Sequence, residues 1–518
     1  MNTRAIRDIN PAFQDIAKGI EALATQEDSV WTDELRSLAN DFSTPFEENP
    51  DDLLMVLQEA QRLLMIARAG LLNNSDIKQK IKNAEHDGHI PRWLRYESPP
   101  ASYELQRSLA DKIYNVHRLP EHLSKQPPYA ALEIGENSKT IMYLVVERLL
   151  QEDILFNVEF NDRDFLHILL NHVDEKAAHA LGLMRAEKFA PANTRISTGY
   201  LQVTIPVDDR KKQNKTAYAQ GASGHKERVM KGDIHYTLTK IPTKGDAQRD
   251  HMSHQELTTL FFEMTDQPDV TGAQNILCEK FDAARTIRIT NNDGTDIKMD
   301  LYDENGLSFT FCNSVTARNV PGSEIFSGVR RNTVNGTIVA KGRFEMKDQS
   351  NKTIENLTMT FKDGKIVSFS ADSGAEYFQE FLDGDPNNYY IGELGIGTNA
   401  HLRRHVVNGM LVEKVGGSFH VALGDCFVMN EYGGKQVHVN NGNYTKTGDH
   451  WDITTLLRGK EGRIYLDDKL AMDNGEWLDA RLAVLNEGWG TIPVQERPDY
   501  WKKFKGYYSN GHPIFSLH

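Results

Sequence analysis

Apolar residues recur at helical spacing through roughly the first 120 positions, whereas from about residue 285 they alternate with polar ones, so the chain reads as helices first and strands last. The clearest helix begins at Asn49, an N-cap residue, with Pro50 at the first helical position and Asp51 and Asp52 in the positive end of the helix dipole. Its broad apolar face, Leu53, Met55, Val56, Leu57, Leu63, Leu64 and Ile66, has to pack against a partner. Proline pairs at 99–100 and 127–128 close this region. Apolar runs at 141–150 and 154–160 then alternate with polar helical stretches such as 174–190, the signature of α/β layering. The polar, glycine-containing stretch 208–228 reads as a surface loop. Further on, Ile287 and Ile289 face Ile297, Met299 and Leu301 across an Asp293-Gly294 hairpin signal, and Asp363-Gly364 repeats it. Glycine-dense turns are expected at 392–397, 416–417 and 433–434.

The fold expected is an α/β N-terminal region with an extra helical segment, followed by a β-rich α+β domain. Its parts are a helical extension over 1–125, an α/β domain over 126–285 and a β-rich metal-binding catalytic domain over 286–518. Composition narrows the function. The 518 residues carry 59 Lys and Arg against 73 Asp and Glu, a net charge of −14, which disfavours nucleic acid and anionic membrane surfaces as partners. Three scattered cysteines, Cys278, Cys312 and Cys426, form neither a disulfide framework nor a thiolate zinc site. No apolar run approaches signal-peptide or membrane-span length, so a cytoplasmic protein is expected.

Four segments carry candidate chemistry. In HWD, His450 and Asp452 are two apart and leave one face of an extended strand, where both can reach one ion. In GGSFHVALG, His420 sits inside an apolar strand, where a lone imidazole is more often a satisfied core residue than a ligand. Glu393 and Glu324 lie among glycine and apolar neighbours, a costly setting unless a cation or hydrogen-bond donors compensate. GELGIGT at 392–398 lacks the lysine and hydroxyl of a phosphate loop and the strand-to-helix setting of a dinucleotide loop.

Taken in order, NVPGSEIF, ELGIGTN, EKVGGSFHVALG and HWD resemble the signature of the M29 family of metallo-aminopeptidases, the thermophilic aminopeptidase group. PTKGDAQRDHM at 242–252 and GTDIKMDL at 294–301 extend the resemblance over about 130 to 460. It implies metal ligation by Glu324, Glu393, His420, His450 and Asp452, two divalent ions, and a homodimer acting on peptides with a free N-terminus. Three carboxylates agree with that number, because two divalent ions leave one positive charge for a hydroxide to cancel. Five ligands would also crowd a single catalytic zinc, and with no thiolate among them zinc, cobalt and manganese all suit the set. Glu413 matches a family glutamate and is a candidate base or supporting residue, or else half of a surface charge pair with Lys414. Phe427 stands where the family usually has a tyrosine, and Tyr432 is the candidate replacement for that phenol.

The expected function is therefore a metal-dependent aminopeptidase that hydrolyses N-terminal residues with two ions and a metal-activated water. Two other readings stay open. His420, His450 and Asp452 form a two-His-one-carboxylate set suited to non-haem iron(II), as in ring-cleaving dioxygenases of the dihydroxypyridine type. Alternatively, the chain is an inactive metal-binding protein.

Overall fold

A computed structural model describes residues 4–26, 29–115, 128–199, 203–314, 319–346, 349–433, 435–445, 448–497, 499 and 502. The chain forms two compact units, 1–229 with 233–243, and 230–232 with 244–518.

The first unit opens with a two-stranded ladder, β1 (Arg4–Ala5) with β2 (Pro45–Phe46), and helices α1 (Pro11–Ala24), α2 (Thr32–Ser43), α3 (Pro50–Arg68), α4 (Ser75–His86) and α5 (Tyr103–Tyr114). α3 starts as the sequence predicts: the Asn49 side chain accepts from the Asp51 N–H at 3.1 Å. A parallel sheet follows, of β3 (Tyr129–Ile134), β4 (Leu155–Phe160), β5 (Thr194–Ser197) and β6 (His235–Leu238), in the order β4-β3-β5-β6. Helices α6 (Lys139–Gln151), α7 (Arg163–Leu170), α8 (Glu175–Phe189) and α9 (Lys212–Met230) connect and cover it.

The free edge of β4 is closed by side chains from the helical segment. Gln61 of α3 donates to the Phe160 carbonyl and accepts from the Phe160 N–H, both at 3.0 Å, and the Asn10 amide donates to the Phe156 carbonyl at 2.6 Å. Edge groups that would otherwise template another strand are thereby satisfied. The helical segment is thus built into this unit.

The stretch 208–228, expected as a loop, is instead the helix α9 after a single 3-10 turn at Asp209–Lys211. Gly221 marks close packing. A Cβ on Gly221 would lie 2.2 Å from the His179 carbonyl oxygen, and one on Gly182 2.1 Å from that of Tyr218, so α8 and α9 approach backbone to backbone. Asn214 adds hydrogen bonds to the Leu170 and Val173 carbonyls at 2.8 and 3.0 Å.

The second unit begins with helices α10 (Lys244–Arg249), α11 (His254–Thr265) and α12 (Thr271–Ala283). An eight-stranded antiparallel sheet is built from β7 (Thr286–Thr290), β8 (Asp296–Asp300), β11 (Asn335–Met346), β12 (Gln349–Lys362), β13 (Lys365–Ser370), β19 (Arg463–Leu466), β20 (Lys469–Asp473) and β21 (Glu476–Trp477). A second, five-stranded sheet runs in the order β18 (His450–Leu456), β15 (Ser418–Gly424), β14 (Ile391–Gly397), β10 (Glu324–Ser327), β9 (Cys312–Asn313). Between β14 and β15 lies a short helix, α14 (Gly409–Val412), and before β14 the helix α13 (Ala375–Gly384).

Both hairpins form as predicted. Ile287, Ile289, Ile297, Met299 and Leu301 are all buried in one core with Leu277 and Phe281 of α12 and with residues of both sheets. Because α12 packs into that core, this unit takes in residues from 244 onward, upstream of the change of period at 285. Residues 392–397, expected as a turn, are the interior of strand β14; their glycines answer close contacts within the sheet. Gly417 and Gly433 do stand at positive φ, 73° and 57°, as turns require.

Candidate metal centre

The five-stranded sheet separates its residues by parity. Ile325, Leu394, Ile396, Phe419, Val421, Leu423, Trp451 and Ile453 enter the apolar core. The alternate positions place Glu324 on β10, Glu393 on β14, His420 on β15, and His450 with Asp452 on β18 on the other face. The ladder aligns them: Gly395 pairs with His420, Ala422 pairs with both Glu393 and Asp452, and Gly424 pairs with His450. Trp451, between the last two, packs against Phe378 and Phe381 on the core side.

All five predicted residues therefore converge. His420 Nε2 lies 3.5 Å from Glu324 Oε2, 3.5 Å from Glu393 Oε1 and 3.9 Å from Asp452 Oδ1. His450 Nε2 is 3.6 Å from Asp452 Oδ1 and 3.9 Å from Glu393 Oε2. The His450 Nδ1–H donates to the Asp425 carbonyl at 2.7 Å, which turns Nε2 towards the carboxylates. Gly395 makes room for the facing imidazole, since a Cβ there would lie 2.1 Å from His420 Cε1 and Nε2.

These separations suit a metal better than they suit hydrogen bonds. Glu324 Oε2, Glu393 Oε2, His420 Nε2 and Asp452 Oδ1 are buried without a hydrogen-bond partner, which is costly for polar atoms. Two donors held about 2.1 Å from one ion at the tetrahedral angle lie about 3.4 Å apart, close to what is seen here. Two groups of donor atoms, Glu324-Glu413-His420 and Glu393-His420-Asp452, each fall within 4.8 Å and share His420. The donor set is imidazole and carboxylate, as zinc, cobalt or manganese accept.

Glu413 and Lys414 are not a surface pair. Lys414 is fully buried on the turn after α14, with Nζ 2.5 Å from Glu324 Oε1 and 2.5 Å from Glu413 Oε1. The stretch VEKVGG reads locally as a polar turn, and only the fold shows that it lies beneath the site. Four carboxylates against one ammonium leave three negative charges in a dry space. Burial and the neighbouring charges shift these groups from their ordinary ranges. Burial, outweighing the pull of Lys414, pushes the Glu413 carboxyl well above its ordinary range. For His450, burial is overcome by Asp452 and Glu393, which lift the imidazole to about 9. Asp452 is held low despite burial, chiefly by the charge on His450.

Phe427 and Tyr432 belong to an apolar group on the same side of the sheet as Glu324. Phe326, two residues beyond Glu324 on β10, meets Phe427 at 5.4 Å and Tyr432 edge-on at 5.5 Å between ring centroids. Phe427 also rests on the His450 ring at 5.6 Å. Tyr432 opens a short hairpin, β16 (Glu431–Tyr432) with β17 (Lys435–Gln436), and is buried with Cys312, Met429 and Val439.

A carboxylate and imidazole cluster on one face of an antiparallel sheet is a candidate metal centre, of the kind a metal-dependent enzyme uses. The model of the thermophilic metalloprotease (M29) family matches residues 197–458, a span that holds every residue of the cluster, and the chain belongs to that family. Aminopeptidase 2 of Geobacillus stearothermophilus is 25% identical over 308 residues, which cover 52% of this chain and 72% of that protein. Aminopeptidase AmpS of Bacillus subtilis is 27% identical over 123 residues, 23% of this chain and 29% of that protein. Wild-type AmpT from Thermus thermophilus shares the fold, with a TM-score of 0.56 at 16% identity, and its alignment covers 72% of this chain and 99% of AmpT. Over a quarter of this chain thus has no counterpart there. Among the described residues no helix is long and apolar enough to cross a membrane.

Proposed function

We propose that this M29 metallo-aminopeptidase releases the N-terminal residue of peptides, with two divalent ions held by Glu324, Glu393, His420, His450 and Asp452. The observation that carries the reading is the pair of donor groups sharing His420, whose buried unpartnered atoms call for cations. Bound there, two ions supply Lewis acidity to the scissile carbonyl and acidify a water. Glu413, held through one oxygen by Lys414, is placed to accept the proton of that water and to return it to the departing amine as the C–N bond breaks. Tyr432 serves as the phenol facing the oxyanion, and Phe427 offers only an apolar wall beside His450. A family of metalloproteases favours hydrolysis over ring cleavage by a single iron and over an inactive protein.

The reading requires a free N-terminus. A short peptide and its N-acetylated form, each incubated with the metal-loaded protein and followed by mass spectrometry, should differ by about 100-fold or more in rate, the worth of about 3 kcal/mol of transition-state contact. Equal cleavage of both forms would contradict it.

A further inference from the structure

We propose that Lys414 is a positioning residue: by engaging one oxygen of Glu324 and one of Glu413, it leaves each carboxylate a single oxygen, that of Glu324 for metal and that of Glu413 for the proton. The proposal rests on the reading of the five residues above as metal ligands. Lys414 Nζ stands 2.5 Å from Glu324 Oε1 and from Glu413 Oε1, and the side chain has no exposed surface. The other oxygen of Glu324, Oε2, faces His420 Nε2 at 3.5 Å and has no hydrogen-bond partner. A carboxylate with both oxygens free can chelate one ion or bridge two. With Oε1 committed to the ammonium, Glu324 has only Oε2 to offer.

The same contact decides the role of Glu413. By distance alone Glu413 qualifies as a ligand beside Glu324 and His420. With Oε1 held by the ammonium, Glu413 has one oxygen left, and an ion bound there would leave none for the proton. The Lys414 ammonium offsets the charge of Glu413, so the fourth carboxylate does not add to the three charges that two divalent ions slightly overbalance. Without Lys414, Glu413 and the second oxygen of Glu324 are free to join the ions, raising their coordination number and lowering their Lewis acidity. Lys414 keeps the ions open to water and substrate.

Cobalt-loaded protein tests this, since the visible absorption of cobalt(II) weakens as its coordination number rises. Lys414→Met should retain two cobalt ions per chain and a folded circular dichroism spectrum, with several-fold weaker absorption per cobalt. Its kcat should fall about 10- to 100-fold with little change in KM, the usual scale for a residue behind the ligands. Adding Glu413→Gln to Lys414→Met should restore much of the absorption, because the released carboxylate is then gone. Should Lys414→Met fail to fold, Glu413→Gln alone carries the test: it keeps the shape of the side chain and should leave the cobalt spectrum of the parent unchanged. Two bound cobalt ions with an unaltered spectrum in Lys414→Met, or a spectrum changed by Glu413→Gln alone, would overturn the proposal. A parent protein that takes up no cobalt would overturn the underlying metal site instead.

Discussion

His420→Ala is expected to lower kcat/KM by at least about 1000-fold, which is about 4 kcal/mol of transition-state stabilisation, and to leave fewer than two ions bound per chain. The reason is its central place: His420 Nε2 belongs to both donor groups and is within 3.9 Å of Glu324, Glu393 and Asp452. Its loss under-coordinates the ion that Nε2 would hold and leaves the carboxylates facing each other unscreened. His450→Ala and Asp452→Ala each remove a predicted ligand as well, so they should lower kcat/KM by a similar factor. Steady-state kinetics on a peptide with a free N-terminus, with metal content measured on the same sample, decide the matter. Near-normal activity with two ions still bound would show that His420 is a core residue and not a ligand.

The second large effect is expected at a glycine. Gly395 lies opposite His420 in the ladder between β14 and β15, and a Cβ there would sit 2.1 Å from the imidazole. The ring is fully buried, so it cannot simply swing away. Gly395→Ala should therefore displace His420 and overpack the sheet, destabilising the protein by about 1–3 kcal/mol. Activity should drop by about 100-fold or more, since a shift of about 1 Å at a catalytic centre has that scale of effect. Gly409→Ala is the matched control, because a Cβ there meets nothing within 4 Å and alanine is the better helix former at the start of α14. Thermal unfolding and kcat/KM for the two variants should separate widely. Equal behaviour would mean that the approach of β14 to His420 does not constrain the site.

These two residues also show what could be read from the sequence. The period of two in HWD placed His450 and Asp452 on one face and Trp451 on the other before any coordinates, because strand geometry leaves no alternative once the stretch is extended. The hairpins at Asp293-Gly294 and Asp363-Gly364 and the start of α3 at Asn49 were legible for the same reason, each set by residues within a few positions. Gly392, Gly395 and Gly397 were not. A glycine-rich stretch ordinarily signals a turn, and the features that make it a central strand, the His420 ring and the Val415 and Asp425 carbonyls packed over the missing Cβ atoms, come from other parts of the chain. Gly221 in α9 misled similarly, since its partner at Gly182 is 39 positions away. Nor could the burial of Glu413 and Lys414 be foreseen, because two charged residues before a Gly-Gly turn look solvated until the sheet closes over them. Family resemblance supplied the set of candidate ligands, but the lysine between Glu324 and Glu413 emerged only from the structure.

The central claim is a pair of ions on the face shared by β10, β14, β15 and β18. Elemental analysis of the protein as purified, and again after chelation and reloading with zinc, cobalt or manganese, tests it most directly when each sample is also assayed on a peptide with a free N-terminus. The account predicts close to two divalent ions per chain, loss of hydrolysis on chelation and its return with the metal. One iron per chain, with cleavage of a dihydroxylated ring and none of peptides, would contradict it.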